Sequence, residues 1–406
     1  MMKIGSCVTG AIMLLLTALP LSAAEISVPS LELATTGSVE NGSFVLATRA
    51  SAELSVDGGY KFGGTLRFAF AANDLEKALS YLTNPLTTIS TSAPTGAEYN
   101  ELVDRINNSA SLSFRLAKVL VRQPFGIPID FAYFVGQADT FCSGDDFPAR
   151  FGSAPIGTAF RGYAYFPDGI DGDPNFQYNG IHAATGTGIS VSWNAWDRIV
   201  PILYAYQDSA AQSGSSSGEY SADLRVLANG EHVKLEFFAG LTQPHGSFGL
   251  YRAGALAYFS TGIGADFLAQ VGVPRWDPAV GFGIDNLYFL FEPRVDFGFT
   301  SIIMTLFYHP GWYLQRETNE RGVSDVNLKF LIGDLRKTSI EGGFETTIGI
   351  RGEAQNTDQP FRFSLGPFFA MVTEGVRWDV KLKVSPIGVT APLEMFAMFL
   401  GVRTAF

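Results

Sequence analysis

Charged residues of both signs stand where they could act together on a solute. Acids fall in one long segment, residues 139–181, at Asp145, Asp146, Asp168, Asp171 and Asp173. Arginines fall on shorter segments, at Arg49, Arg67, Arg115, Arg351, Arg362, Arg377 and Arg403. If the two sets faced each other across an enclosed aqueous space, their transverse field would orient polar solutes and filter ions. The segment could equally be a solvated surface loop whose aromatic residues pack together, and the sequence leaves both interpretations open.

Metal binding and covalent catalysis have weaker support. Residues 168–173 carry aspartates at i, i+3 and i+5, as in part of a calcium loop, but the closing glutamate is missing. A turn rich in Asp and Gly is therefore favoured, and no metal is expected. His245 and Ser247 are close in sequence, but adjacency does not make a catalytic geometry. We therefore expect no catalytic residue, no cofactor and no enzymatic activity.

The elements that must position these residues are β-strands. Between residues 323 and 333, Asp325, Asn327 and Lys329 alternate with apolar side chains, and residues 338–351 and 376–385 show the same pattern. A helix would scatter such charges around its circumference, because its period is 3.6 residues. The dyad of apolar and polar residues, repeated along the chain, is typical of transmembrane strands whose polar face lines an aqueous interior.

Connections between these segments alternate between short and long, as in barrels with tight turns at one end and loops at the other. The pattern predicts an all-β, transmembrane antiparallel up-and-down β-barrel of about 18 strands, with 16 or 14 as alternatives. The count of 18 requires a first strand at residues 26–35, where Pro29 must sit at a strand start or a bulge. Two long connections, residues 73–108 and 139–181, stand out.

The two ends of the sequence suggest export and assembly. Residues 1–24 have a positive start, a short apolar stretch and small residues before the end, which predicts a signal peptide. Counting back from Phe406 by twos gives a mostly apolar face, Thr404, Val402, Leu400, Met398 and Phe396. This amphipathic strand resembles the last strand of bacterial outer-membrane barrels, which commonly ends in Phe. That resemblance implies that Phe406 is a signal for the barrel-assembly machinery.

Composition agrees with a wall that faces lipid. Charged residues make up 17% of the chain, aromatic residues 13%, and hydrophobic residues 47%. A soluble protein usually has about 25% charged residues. The formal net charge of −11 makes a nucleic-acid partner unexpected, because such binding needs a basic patch. A secreted β-sandwich remains a minor alternative.

Taken together, residues 25–406 resemble an outer-membrane β-barrel of the porin or substrate-channel type, without the signature of a specific family. The resemblance implies a channel in the bacterial outer membrane for passive diffusion of small hydrophilic solutes, narrowed by residues 139–181. Its partners would be the lipid bilayer and small solutes. Many porins are trimers, so the resemblance also implies a possible homotrimer. Two alternatives stay open: a plugged transporter for hydrophobic compounds, and a non-conducting structural or enzymatic barrel.

Two helices are expected in the segment 73–108. Asn73 could cap a helix over residues 74–82, and residues 97–106 carry apolar side chains at Leu102 and Ile106. The segment 139–181 joins the fifth and sixth strands by this count. In general porins the corresponding connection folds into the barrel, so the resemblance implies an inward position here.

Overall fold

The chain folds into a single closed sheet of 18 strands. The structure is a computed structural model that describes residues 25–40, 42–83, 110–160, 180–209, 219–244, 246, 248–311, 313, 322–351, 361–387 and 392–405. The strands are β1 Glu25–Glu40, β2 Ser43–Asp57, β3 Phe62–Ala72, β4 Ser111–Arg122, β5 Ile129–Phe141, β6 His182–Trp193, β7 Ile199–Asp208, β8 Tyr220–Asn229, β9 Val233–Gln243, β10 Leu250–Ser260, β11 Ala265–Trp276, β12 Tyr288–Asp296, β13 Thr300–His309, β14 Val323–Asp334, β15 Ile340–Arg351, β16 Phe361–Thr373, β17 Val376–Val384 and β18 Phe396–Ala405.

Each strand pairs antiparallel with the next in sequence, and β1 pairs with β18 to close the barrel. The predicted antiparallel barrel of about 18 strands is therefore confirmed. The predicted first strand is also present, and it is longer than expected. Pro29 lies inside the register irregularity between Ser27 and Ser30, where a missing backbone N–H costs no ladder bond.

The two faces of the wall differ as the alternation predicts. On β14, Asp325, Asn327 and Lys329 are buried inside the barrel, whereas Leu328 and Ile332 are exposed on the outer surface. Large apolar side chains repeat on the outside of the other strands in the same way. A barrel with this outer surface presents an apolar band to its surroundings, which is the surface that a bilayer requires.

Helices are few and short in the part of the chain that the structure describes. Helical turns occupy Leu75–Thr83, Asp146–Phe151 and Leu335–Thr338, with 3-10 turns at Pro124–Gly126, Ile284–Asn286 and Pro392–Met395. None of these helices has the length and apolar character needed to span a membrane.

The prediction that Asn73 caps the first helix is wrong by one residue. The helix begins at Leu75, and the Asp74 carboxylate accepts the backbone N–H of Lys77 at 3.0 Å. A negatively charged aspartate at the cap position also complements the partial positive charge of the helix N-terminus, which favours Asp74 over the neutral Asn73. The second predicted helix, at residues 97–106, lies outside the described residues.

Candidate functional site in the barrel lumen

The chain that follows β5 turns into the barrel and is anchored to the inner face of β9 and β11. The Cys142 carbonyl accepts a hydrogen bond from Gln270 Nε2 on β11 at 2.9 Å, and the Cys142 N–H donates to the Glu236 carboxylate on β9. Gln270 is itself held by the Tyr288 hydroxyl at 2.9 Å. Cys142 is completely buried, and burial together with the neighbouring Glu236 carboxylate raises the pKa of its thiol.

A second anchor lies farther along the same loop. Glu292 on β12 accepts the Ala159 N–H at 3.0 Å and the Thr158 hydroxyl, while Arg294 donates to the Gly157 carbonyl at 2.6 Å. The Glu292 side chain is fully buried. A carboxylate that receives backbone and hydroxyl donors in a buried site forms strong, charge-assisted hydrogen bonds. Residues 157–159 are therefore tied to the inner surface of the wall.

An ion cluster lies between these two anchors. The Arg225 guanidinium on β8 bonds Glu236 through Nε at 2.7 Å and contacts the Asp146 carboxylate of the loop helix. Its other face lies over the Phe141 ring, 5.3 Å from the centroid. Arg225 and Glu236 are both fully buried, so removing either partner would leave an uncompensated charge inside the barrel.

Apolar packing completes the attachment of the loop. Phe141, Phe147, Ile156 and Phe160 are buried in one cluster with side chains from β4 to β13. Phe160 packs edge-on against Phe307 of β13 at 6.1 Å. The described part of the loop therefore lies inside the barrel, against inward-facing side chains of the β4–β13 wall.

A cavity of about 650 Å³ remains between this loop and the wall from β12 to β18. It is lined by loop residues on one side and by inward-facing wall residues on the other. Its charged lining consists of Asp145, Asp334, Glu341, Arg294, Lys329, Arg377 and Arg403. We call this space the lumen cavity. It is lined by one acid of the predicted set, Asp145, and by two of the predicted arginines, Arg377 and Arg403.

The bases of the lumen cavity are held in place by the wall. Arg377 bonds Asp379 at 2.8 Å, and Arg403 lies 3.5 Å from Glu32 across the β1–β18 closure. The Lys329 ammonium lies over the Phe368 ring, 5.4 Å from its centroid. Fixed charges set in low-dielectric walls keep a directed field across the space between them. The arrangement suits the orientation of a small polar molecule.

Three of the residues singled out from the sequence, Asp145, Arg377 and Arg403, line the lumen cavity. Asp146 lies apart from it, against Arg225.

The remaining arginines singled out are placed elsewhere. Arg67 bonds Glu53 at 2.8 Å on the inner face of β3, and Arg49 lies on β2 opposite Ala34 and Ala71. Arg115 is the residue skipped at the bulge between β3 and β4, and Arg362 pairs with Gly349.

Other positions singled out from the sequence are not placed. Arg351 belongs to β15, but its side chain is outside the described set, and Asp168, Asp171, Asp173 and Phe406 lie outside the described residues.

The sequence reasoning missed the residues that anchor the loop. Alternation puts Arg225, Glu236 and Glu292 on the polar faces of their strands, but it gives no sign that they bond to residues 142–159. Arg252 of β10 was missed altogether, because it is an isolated charge among small and apolar residues. It forms a bidentate ion pair with Asp223, in which Nε and Nη2 donate to the two carboxylate oxygens at 2.6 and 2.9 Å.

Comparisons with known proteins support the fold alone. No protein-family model matches the chain. No curated protein matches it either. Among solved structures, OccK1 (OpdK) of Pseudomonas aeruginosa is 12% identical and has a TM-score of 0.51, with 95% of this chain and 98% of that chain covered.

Two further structures are similar. The structure described as Pseudomonas aeruginosa OpdK with vanillate has 12% identity, the same coverage of 95% and 98%, and a TM-score of 0.50. A triple mutant of Rhodopseudomonas blastica porin has 11% identity and a TM-score of 0.42, with 94% of this chain and 100% of that chain covered. With its closed sheet of 18 strands, the chain has the fold of an outer-membrane barrel of the porin and substrate-channel type.

Proposed function

We propose that the protein is an outer-membrane channel for passive diffusion of small hydrophilic solutes, narrowed by the loop between β5 and β6. The observation that carries the proposal is the lumen cavity, which joins the inner side of this loop to a wall of fixed charges. Charged groups inside a barrel are tolerated where the interior holds water or partner charges. An aqueous channel would account for the charged groups on the inner face of this barrel.

In this proposal the path for solutes is off-centre. The loop fills the side of the lumen next to β5–β13, so solutes would pass along β14–β18 and β1–β4. On that side Glu345 bonds Lys381 at 2.9 Å and Arg67 bonds Glu53 at 2.8 Å. Such pairs give a wettable wall with both signs of charge, which favours polar solutes over hydrophobic ones.

Location and assembly complete the proposal. The protein would be exported through the signal peptide at residues 1–24 and inserted in the outer membrane by machinery that recognises the last strand with Phe406. The apolar outer surface supports insertion in a bilayer. A homotrimer stays part of the proposal, to be tested by the mass of the purified barrel in detergent.

The test is to refold residues 25–406 in detergent and to record single-channel currents in a planar bilayer. Stable steps that grow with salt concentration are the expected result, and the reversal potential in a salt gradient then gives the ion selectivity. A folded barrel, verified by its heat-dependent shift on a gel, that passes no current would overturn the channel. That outcome would favour a plugged transporter or a structural barrel instead.

A further inference from the structure

One inward-facing cation of the lumen cavity has no partner of opposite charge bonded to it. Lys329 of β14 lines the cavity and is only 2% exposed. Its ammonium lies 5.4 Å from the centroid of the Phe368 ring, but in the part of the chain that the structure describes it has no hydrogen-bond acceptor and no ion pair. A buried charge is normally paired, because its removal from water costs free energy. An unpaired ammonium at the wall of a cavity is therefore suited to receive an anion.

The neighbouring carboxylate does not neutralise Lys329. Glu345 of β15 is directly opposite Lys329 in the β14–β15 ladder. Its oxygens are already bonded by the Lys381 ammonium at 2.9 Å and by the Asn327 amide at 2.7 Å. Two ammonium groups thus stand beside one carboxylate, so this part of the wall carries an excess of positive charge. An anion in the cavity would balance that charge.

The acids in the cavity lining lie away from Lys329. Asp334 is five residues farther along β14, and Glu341 pairs with Gly333, four residues farther along. At about 3.4 Å per residue, these two acids are roughly 14–17 Å from Lys329 along the strand. The remaining acid, Asp145, belongs to the loop after β5. The other three cations of the lining each have a carboxylate within 3.5 Å, in the pairs Arg294–Glu292, Arg377–Asp379 and Arg403–Glu32.

Apolar side chains lie beside Lys329 on the same inner surface. Ile303 of β13 pairs with Lys329, and Leu331 is the next inward residue along β14. Both line the cavity, as does Ala159 of the loop, and these three pack in one cluster with Phe368. Hydrocarbon that packs against such side chains is removed from water, which is favourable. The wall therefore joins a cationic point to an adjacent aliphatic surface.

We propose that Lys329, Ile303 and Leu331 form a binding site for a small organic anion, with its carboxylate on the Lys329 ammonium and its aliphatic body on the two apolar side chains. The inference rests on the proposed function and deepens it, because it names the class of solute that the channel would select. An ammonium and a carboxylate form a charge-assisted hydrogen bond. A neutral solute of the same shape lacks the charge, and an anion without hydrocarbon lacks the body, so neither uses the whole site.

The test measures the binding of fluorinated probes to the refolded barrel in detergent by fluorine NMR. Trifluorobutyrate has both the carboxylate and the aliphatic body, trifluoroacetate has the carboxylate without that body, and trifluorobutanol has the body without the charge. We expect trifluorobutyrate to bind tightest. Lys329→Gln should weaken it about tenfold, because a charge-assisted hydrogen bond is lost, and should leave trifluorobutanol unchanged. Lys329→Arg keeps the charge and should keep most of the affinity.

Lys383→Gln is the matched control for the charge. Lys383 lies on β17 two residues beyond Lys381, so it faces the same side of the wall, but it is not part of the cavity lining. The variant should leave trifluorobutyrate binding unchanged. Leu331→Ala tests the apolar surface, and it should weaken trifluorobutyrate several-fold while trifluoroacetate is unaffected. If Lys329→Gln or Leu331→Ala fails to fold, Lys329→Met or Ile303→Ala takes its place.

Two results would overturn the proposal. One is equal binding of trifluorobutyrate by Lys329→Gln and the unchanged barrel, and the other is trifluoroacetate binding as tightly as trifluorobutyrate. Single-channel currents of the same preparations test the channel separately. A barrel that conducts but does not bind trifluorobutyrate refutes the site alone, whereas a barrel that binds it through Lys329 and passes no current keeps the site and refutes the channel.

Discussion

Glu292 is expected to hold the β5–β6 loop inside the barrel, and Glu292→Ala removes that anchor. Its carboxylate accepts the Ala159 N–H at 3.0 Å and the Thr158 hydroxyl. A hydrogen bond to a charged group contributes about 1.5–3 kcal/mol. Arg294, which donates to the Gly157 carbonyl at 2.6 Å, loses its own ion pair with Glu292 in the variant. We count only the two direct bonds from Glu292 to the loop and take the lower end of the range. The loop should lose about 3 kcal/mol of anchoring, equivalent to roughly a hundredfold change in its opening equilibrium.

The assay is hydrogen exchange at residues 154–160, measured by mass spectrometry on the folded barrel. Glu292→Ala should exchange the Ala159 amide about a hundredfold faster, while the barrel strands keep their protection because their ladders are intact. Single-channel currents should become noisier, since a looser loop fluctuates in the proposed pore.

Glu345→Ala is the matched control for this experiment. Glu345 is also an inward glutamate, only 6% exposed, but it bonds Lys381 at 2.9 Å and Asn327 at 2.7 Å on the wall. The variant should leave exchange at Ala159 unchanged. If Glu292→Ala exchanges no faster than Glu345→Ala, Glu292 does not hold the loop, and the reasoning that joins these contacts to a narrowed pore fails.

Three further predictions use other parts of the structure. Cys142 should resist maleimide in the folded barrel at about pH 8 and react fully in denaturant, because its pKa is raised and the thiolate is the reactive form; rapid labelling of the folded barrel would contradict the buried position. Gly240→Ala should destabilise the barrel by about 3 kcal/mol in urea unfolding, because a Cβ would lie 1.7 Å from Asp223 Oδ1 and break its buried ion pair; Gly342→Ala, where the nearest atom is 3.5 Å away, should cost far less, and equal costs would refute the argument. Arg403→Glu should make the channel more selective for cations, measured as a shift of the reversal potential in a salt gradient. Arg67→Glu, at a position outside the lining of the lumen cavity, should shift the reversal potential less.

Local patterns were enough to predict the barrel. A strand shows its two faces within a few residues, as Asp325, Asn327 and Lys329 do on β14, so alternation needs no knowledge of neighbours. Connection lengths are equally local, and their alternation gave the strand number. The sequence signal for β1 was weak, since Pro29 interrupts it, and only the need for an even number of strands predicted it.

The candidate site was only partly predictable, because it depends on contacts between distant residues. Asp145, Arg377 and Arg403 could be named from their charge and phase. The roles of Glu236 and Glu292 could not, because each accepts a backbone N–H from a loop far away in sequence. Arg252 also needed the register, which places it beside Asp223 only when β8, β9 and β10 are aligned.

The β1–β18 ladder has a consequence for the order of folding. All the other ladders join strands that are consecutive in sequence, so they can form as hairpins by short-range diffusion. Closure alone brings together segments at opposite ends of the chain, and until it happens β1 and β18 each present an unpaired edge open to aggregation. A circular permutant with linked natural ends and new ends within residues 210–218 would exchange these roles, making β1–β18 a local hairpin and β7–β8 the closing seam.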